Sequence, residues 1–246
     1  MTAPEVFVVK DRDLLLDAVA ARIVTLLVDR LAAATHATLL VDDTPLVVDL
    51  WSRLATSTLR DAVEWPRTQY WSANGRFGGE QPRELDRVLA KLGVRDDALH
   101  QFPALAAADR PEDAAAAYAS ELAASRQPDE HAAVPVFDVA MLAVGADGSV
   151  AGLHPERPTA HEEAPVAVDR VTQEITLTSQ AISVAREVWL LAAGADRAAG
   201  VRLALSSAGP YQVPAAAVRG TARTLVLVDG PAAERLPPEL RRLASP

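Results

Sequence analysis

The spacing of apolar residues along the chain switches repeatedly between two periods. Glu5–Val9 is a short, β-branched run bounded by Pro4 on one side and Lys10-Asp11 on the other, and it predicts a strand. Leu15, Val19, Ile23, Leu26, Leu27 and Leu31 then fall on one face at helical spacing, so a helix runs from a cap at Asp11 or Asp13 to about Ala34. Ala37–Val41 is apolar throughout, as suits a parallel strand buried on both faces. Asp42, Asp43 and Thr44 form a turn into a second helix, with Pro45 at its first position and Leu46, Val47, Leu50 and Leu54 on its inner face.

Thr68–Trp71 predicts a short strand. Ser72–Gln81, with three glycines, predicts a loop. Pro82–Leu92 and Pro111–Ala124 predict helices, and Gln127–Pro135 is a polar break after the second of them. Val136–Val144 is the most apolar strand of the chain and leads into Gly145-Ala146-Asp147-Gly148. Glu174–Thr178, Glu187–Ala193 and Thr224–Val228 predict further strands, with helices over Ser179–Ala185 and Asp196–Leu205. Such alternation indicates an α/β fold with a mainly parallel sheet flanked by helices, here as one domain over residues 1–246. Functional loops are expected after strand ends, where open α/β sheets bind ligands.

Composition narrows the function. Half of the 246 residues are hydrophobic, enough for a sizeable core. The net charge of −9 disfavours nucleic acid and anionic membranes as partners, leaving a small molecule, a protein partner or a second copy of the chain. The chain has no cysteine, hence no disulfide and no thiolate nucleophile or ligand. Met1–Glu5 lacks the basic flank and apolar core of a signal peptide, and no run approaches the roughly 18 apolar residues of a membrane span. A cytoplasmic protein is expected. His154 with His161, Glu162 and Glu163 is a weak metal constellation in a Pro-rich segment, so no metal or cofactor is expected. Gly-x-Ser-x-Gly, the dinucleotide fingerprint and the phosphate-binding P-loop are absent from the sequence.

Three segments carry a resemblance. Phe137-Asp138 through Gly145-Ala146-Asp147-Gly148-Ser149 to Leu153-His154-Pro155 is one, Ile175-Thr176-Leu177-Thr178 followed by Gly194-Ala195-Asp196-Arg197-Ala198 is the second, and Val213-Pro214-Ala215-Ala216 before Arg223–Asp229 is the third. In order and spacing they resemble the 6-phosphogluconolactonases, which read F-D-x-x-x-L-G-x-G-x-D-G-H-x-x-S-L-F-P over the first segment. The resemblance runs from about Val6 to Asp229 and implies the fold shared with glucosamine-6-phosphate isomerases, a NagB/RpiA/CoA-transferase-like sheet flanked by helices. It also implies hydrolysis of a phosphorylated sugar lactone in the pentose phosphate pathway. A Gly-rich phosphate turn, a basic clamp and a general-base histidine would do the work.

Each of those parts departs from the family at named positions. Where the family has its phosphate turn, this chain has Asp42, Asp43 and Thr44, and two carboxylates about 4 Å from a phosphate would each cost a few kcal/mol. They are either ligands for a cationic or hydroxylated group or helix caps. The family's Asp-Glu-Arg after the third strand is replaced, with Arg76 either the remaining basic group or an exposed loop arginine. The general-base position holds Ser149, which has no usable pKa near neutrality. His154 stands where the family has phenylalanine and is either a base reaching the cleft from another direction or a polar residue of the loop. Asp147 is retained as a candidate turn carboxylate. Glu174 reverses the charge of the family's arginine before I-T-L-T, while Arg197 keeps the charge of its lysine.

These replacements predict a family member without lactonase activity, acting as a binding or partner protein. Two alternatives stay open. One is a repurposed enzyme acting on a non-phosphorylated lactone or sugar-like compound, and the other is a genuine 6-phosphogluconolactonase with compensating residues.

Overall fold

The computed structural model describes residues 3–78, 83–102, 108–127 and 131–241, the side chains of Ala160 and His161 excepted. In chain order the elements are β1 (Glu5–Val9), α1 (Arg12–Ala33), β2 (Ala37–Val41), α2 (Pro45–Thr56), β3 (Thr68–Ser72), β4 (Asn74–Arg76), α3 (Glu84–Leu92), β5 (Leu99–His100), α4 (Pro111–Ala124) and β6 (Val139–Ala143). They continue with β7 (Val166–Asp169), β8 (Glu174–Leu177), α5 (Ser179–Ile182), β9 (Glu187–Ala192), α6 (Ala198–Ala204), α7 (Pro214–Ala217) and β10 (Arg223–Asp229).

The main sheet has the order β1-β10-β9-β6-β2-β3-β5, and its pairings are parallel. The α/β class expected from the alternating pattern is therefore found. Inward and outward positions alternate along each central strand. Leu39, Val139, Met141, Trp189, Leu191, Leu225 and Leu227 face the core layer formed with α1, α2 and α3. Leu40, Ala140, Leu142, Val188, Leu190, Val226 and Val228 face the opposite layer, with α4, α6 and the smaller sheet. That smaller sheet is antiparallel, in the order β4-β8-β7. Among the described residues, no helix is long and apolar enough to cross a membrane.

Helix α1 starts at Asp11, whose carboxylate accepts from the Leu14 N–H at 3.0 Å, so Asp11 rather than Asp13 is the cap. Sequence and structure differ at several ends. The Ser72–Gln81 loop contains β4, because Asn74–Arg76 pairs with Glu174–Thr176. Gly75 suits that strand, since a Cβ there would come within 3.0 Å of the Phe102 ring. Strand Val136–Val144 shortens to β6, and the Asp138 side chain just before it is held by Thr38, Arg30 and Arg186. Helix Ser179–Ala185 stops at Ile182, and the Arg186 N–H turns to the Phe137 carbonyl at 2.8 Å. The strands β5 and β7 and the short α7 have too few residues to show a period. Residues 79–82 of the predicted loop and helix, and 128–130 of the polar break, lie outside the described residues.

Asp138 joins the N-terminal ends of the central strands. It accepts from the Thr38 N–H at 2.9 Å and pairs with Arg30 at 2.7 Å and Arg186 at 3.6 Å. On the far face Trp51 is fully buried and makes edge contacts with Trp65 and Tyr70 at centroid distances of 6.4 and 5.4 Å. Trp51→Ala is expected to destabilise the fold by about 3–5 kcal/mol, measured as a lowered urea midpoint at unchanged slope.

Candidate active site

The chain winds outward from β2 through β3 to β5, then returns to place β6 on the other side of β2. The C-terminal ends of β2 and β6 therefore diverge at a topological switch point, where α/β sheets open a crevice. A cleft of about 400 Å³ lies there, floored by Thr44-Pro45-Leu46, by Ala143–Gly145 and by Leu191–Ala193.

Asp42 closes the bottom of this switch point. It is fully buried and accepts hydrogen bonds from the Ala143 N–H at 2.7 Å and the Thr44 hydroxyl at 2.8 Å. Burial pushes its pKa up to about 6, against the opposing pull of the Ala143 and Thr44 bonds. Thr44 caps α2 in the extended conformation, but its hydroxyl is spent on Asp42 and makes no cap bond. The first-turn N–H groups of α2 thus lack a side-chain cap beside the cleft.

The second wall is the loop from Val144 to His154. Gly145 N–H bonds the Ser149 carbonyl at 2.9 Å, and Asp147 accepts from the Ser149 N–H at 3.0 Å. Val150 and Leu153 then exchange two backbone hydrogen bonds of 3.0 and 2.8 Å around Ala151 and Gly152, whose φ values are +50° and +75°. This is a two-residue hairpin with both central residues left-handed. It puts Ser149 and His154 on opposite strands just beyond the Val150–Leu153 pair, and both line the cleft. Helix α6 packs so closely behind that a Cβ on Gly200 would sit 1.8 Å from the Gly145 carbonyl oxygen.

The smaller sheet supplies the remaining wall through Asn74 and Glu174. Glu174 Oε2 lies 3.0 Å from His154 Nε2. That hydrogen bond lowers the Glu174 pKa and, against partial desolvation, raises that of His154. Asn74 Oδ1 is buried without a hydrogen-bond partner among the described residues.

The sequence candidates thus separate. Thr44, Ser149, His154, Glu174 and Arg197 come together in the cleft. Asp42, proposed from the sequence as a ligand-binding carboxylate, is instead sealed beneath the floor by its strand-tying bonds. Asp43 turns toward Arg83 at 3.8 Å and is absent from the lining; burial is the main influence raising its pKa. Arg76 is exposed and also absent from the lining, to which β4 contributes Asn74. Asp147 braces the loop: burial works to raise its pKa, but bonds from Ser149 outweigh it and the value is lowered. Among the described residues no three His, Asp or Glu side chains cluster as a metal would require, and the His161 side chain lies outside that set.

Arg12, Asn74 and Asp196 also line the cleft, and sequence reasoning missed them. Arg12 opens α1 directly after β1, where a positive charge opposes the helix dipole, and that misfit was the available signal. It pairs with Asp49, and Arg197 pairs with Asp196 at 3.0 Å. An arginine has five N–H donors, so each has others to offer a ligand.

Two outcomes are expected. Gly200→Ala should destabilise the protein by about 1–3 kcal/mol, since backbone must move to admit the methyl group; thermal unfolding checks this. The raised Asp42 pKa means the folded chain holds this proton more tightly than the unfolded chain. The group's contribution is therefore greatest below the ordinary carboxylate range and is lost as pH rises through about 6. Asp42→Asn should remove a pH-dependent loss on the order of 2–3 kcal/mol between pH 4 and 7, read by urea denaturation at each pH.

Residues 10–227 match the family described as "Glucosamine-6-phosphate isomerases/6-phosphogluconolactonase". The chain is 41% identical to a 6-phosphogluconolactonase of Streptomyces coelicolor over 98% of each protein. It is 36% identical to one from Mycobacterium tuberculosis over 71% of this chain and 76% of that one. Among solved structures, the Trypanosoma brucei 6-phosphogluconolactonase superposes with a TM-score of 0.79 at 21% identity, covering 96% of this chain and all of that one. A monomeric glucosamine-6-phosphate deaminase superposes with a TM-score of 0.74 at 14% identity, covering 94% and 99%. The chain therefore belongs to the family of glucosamine-6-phosphate isomerases and 6-phosphogluconolactonases.

Proposed function

We propose that this protein hydrolyses the lactone of a phosphorylated sugar, 6-phosphogluconolactone, in the cleft at the β2/β6 switch point, with the whole chain acting as one domain. The observation that carries the reading is where the substituted carboxylates point. From sequence, Asp42 and Asp43 stand where a phosphate would bind and would repel it. In the fold Asp42 is buried under Ala143 and Thr44, and Asp43 faces Arg83, so the lining presents neither. What the lining offers an anion is Arg12, Arg197 and the uncapped first turn of α2, a helix N-terminus of the kind that binds phosphate. The 41% identity to a 6-phosphogluconolactonase over nearly the full chain supports the same substrate.

In this reading Arg197 and Arg12 hold the phosphate, and Thr44 and the α2 amides complete its cradle. Asn74 Oδ1, an acceptor of the cleft without a partner among the described residues, takes a sugar hydroxyl. Purified protein should open 6-phosphogluconolactone well above the spontaneous rate, followed by release of 6-phosphogluconate. Arg197→Ala should raise KM about tenfold or more with a smaller change in kcat, as expected when a charge-assisted contact made equally in ground and transition states is lost. A specific observation, Ser149 at the family's base position, favours the competing reading of a non-catalytic binding protein. Absence of turnover above background, with 6-phosphogluconate still bound, would establish that reading instead.

A further inference from the structure

The cleft needs a proton acceptor, and the family's position for it holds an alcohol. The other polar groups of the cleft are poor substitutes. Asp147 is engaged by Ser149, Asp42 is sealed below the floor, and Asp196 is held by Arg197. Among the described residues, the imidazole that lines the cleft is His154.

The hairpin explains how it arrives there. Ser149 and His154 flank the Val150–Leu153 pair, and cross-strand neighbours of this kind have Cβ atoms roughly 5 Å apart on one face. An imidazole at 154 therefore grows from a point next to the side chain at 149. A second observation is independent of this one. The resemblance implies phenylalanine at 154 and arginine at 174, and the histidine and glutamate that stand there instead bond each other at 3.0 Å. The carboxylate accepts from Nε2–H, which fixes the tautomer and leaves the Nδ1 lone pair as the acceptor. His154 Nδ1 has no hydrogen-bond partner among the described residues.

We infer that His154, oriented by Glu174, is the general base of this cleft in place of the histidine that the family carries at position 149. The inference rests on the lactonase reading above. Water adds through its oxygen to the lactone carbonyl carbon and gives one proton to Nδ1. The tetrahedral intermediate collapses, the ring C–O bond breaks, and the imidazolium returns the proton to the departing ring oxygen. The new carboxyl group then loses its own proton to solvent. Glu174 is a positioning residue, holding the ring and favouring its protonated form. The other charges around the ring are Asp147, Asp169 with its partner Arg157, Arg76 opposite Glu174 across the β4–β8 pairing, and Arg12, Asp196 and Arg197 of the cleft.

The test is the pH–rate profile of lactone opening, corrected for the spontaneous reaction, in the wild type and three variants. His154→Gln should lower kcat about a hundredfold or more, the range for loss of a general base, with KM little changed. Glu174→Gln should move the acidic limb to lower pH, because removing the carboxylate removes what raises the imidazole pKa. A merely structural carboxylate would leave that limb in place. The exchange Ser149→His with His154→Phe should recover activity lost in His154→Phe alone. Turnover in His154→Gln equal to wild type, or an unmoved limb in Glu174→Gln, overturns the inference and leaves the lactonase reading standing. No turnover in the wild type overturns both.

Discussion

A buried carboxylate holds the two halves of this sheet together at the point where they part. Asp42 bonds across the gap between β2 and β6 to the Ala143 N–H, and along its own strand to Thr44. Burying a carboxylate carries a large desolvation cost unless hydrogen bonds satisfy it. The cost is visible here as a pKa near 6. In return the switch point has fixed geometry: α2 starts where its amides face the cleft, and the Gly145 loop starts level with it. Gly200 completes the arrangement by letting α6 touch the Gly145 carbonyl from behind.

This arrangement separates two uses of charge that the sequence superimposes. Asp42, Asp43 and Thr44 are consecutive, yet one is beneath the floor, one is paired with Arg83, and one lines the cleft. The charge reversal at Glu174 does reach the cleft, but it arrives bound to His154. A cation–aromatic combination in the family's pattern becomes an imidazole–carboxylate combination here. In the proposed mechanism acid–base capacity moves from one strand of the hairpin to the other, while Arg12 and Arg197 line the same cleft.

Much of the fold was legible in the sequence. The helical face from Leu15 to Leu31 states its own period, the short apolar stretches of β2 and β6 suit strands buried on both faces, and the order of strands and helices implies a parallel sheet. Elements of two to four residues, such as β5, β7 and α7, are too short to repeat a period often enough to leave a pattern. The family was legible from Phe137–Pro155 because its glycines and aspartate meet backbone requirements that few other residues satisfy, as the φ value of Gly148 shows. The direction of side chains was not legible. That Asp42 turns inward, that β4 places Asn74 rather than Arg76 on the cleft, and that Arg12 arrives from the start of α1 all depend on pairings made by residues distant in sequence. His154 was visible as a candidate, but Glu174 as its partner required the packing of β8 against the hairpin, where the Thr176 hydroxyl donates to the Ala151 carbonyl.

In the reading proposed above, the β2/β6 cleft holds a phosphorylated sugar acid among Arg12, Arg197 and His154. The most direct measurement is a titration of isotope-labelled protein with 6-phosphogluconate, followed by amide and imidazole NMR shifts. Saturable changes are expected at Leu46, Val47, Gly145, Arg197 and the His154 ring, with loss of those at Leu46, Val47 and Arg197 when gluconate replaces the phosphorylated ligand. Shifts that are absent, or that fall on another face of the molecule, would contradict that reading.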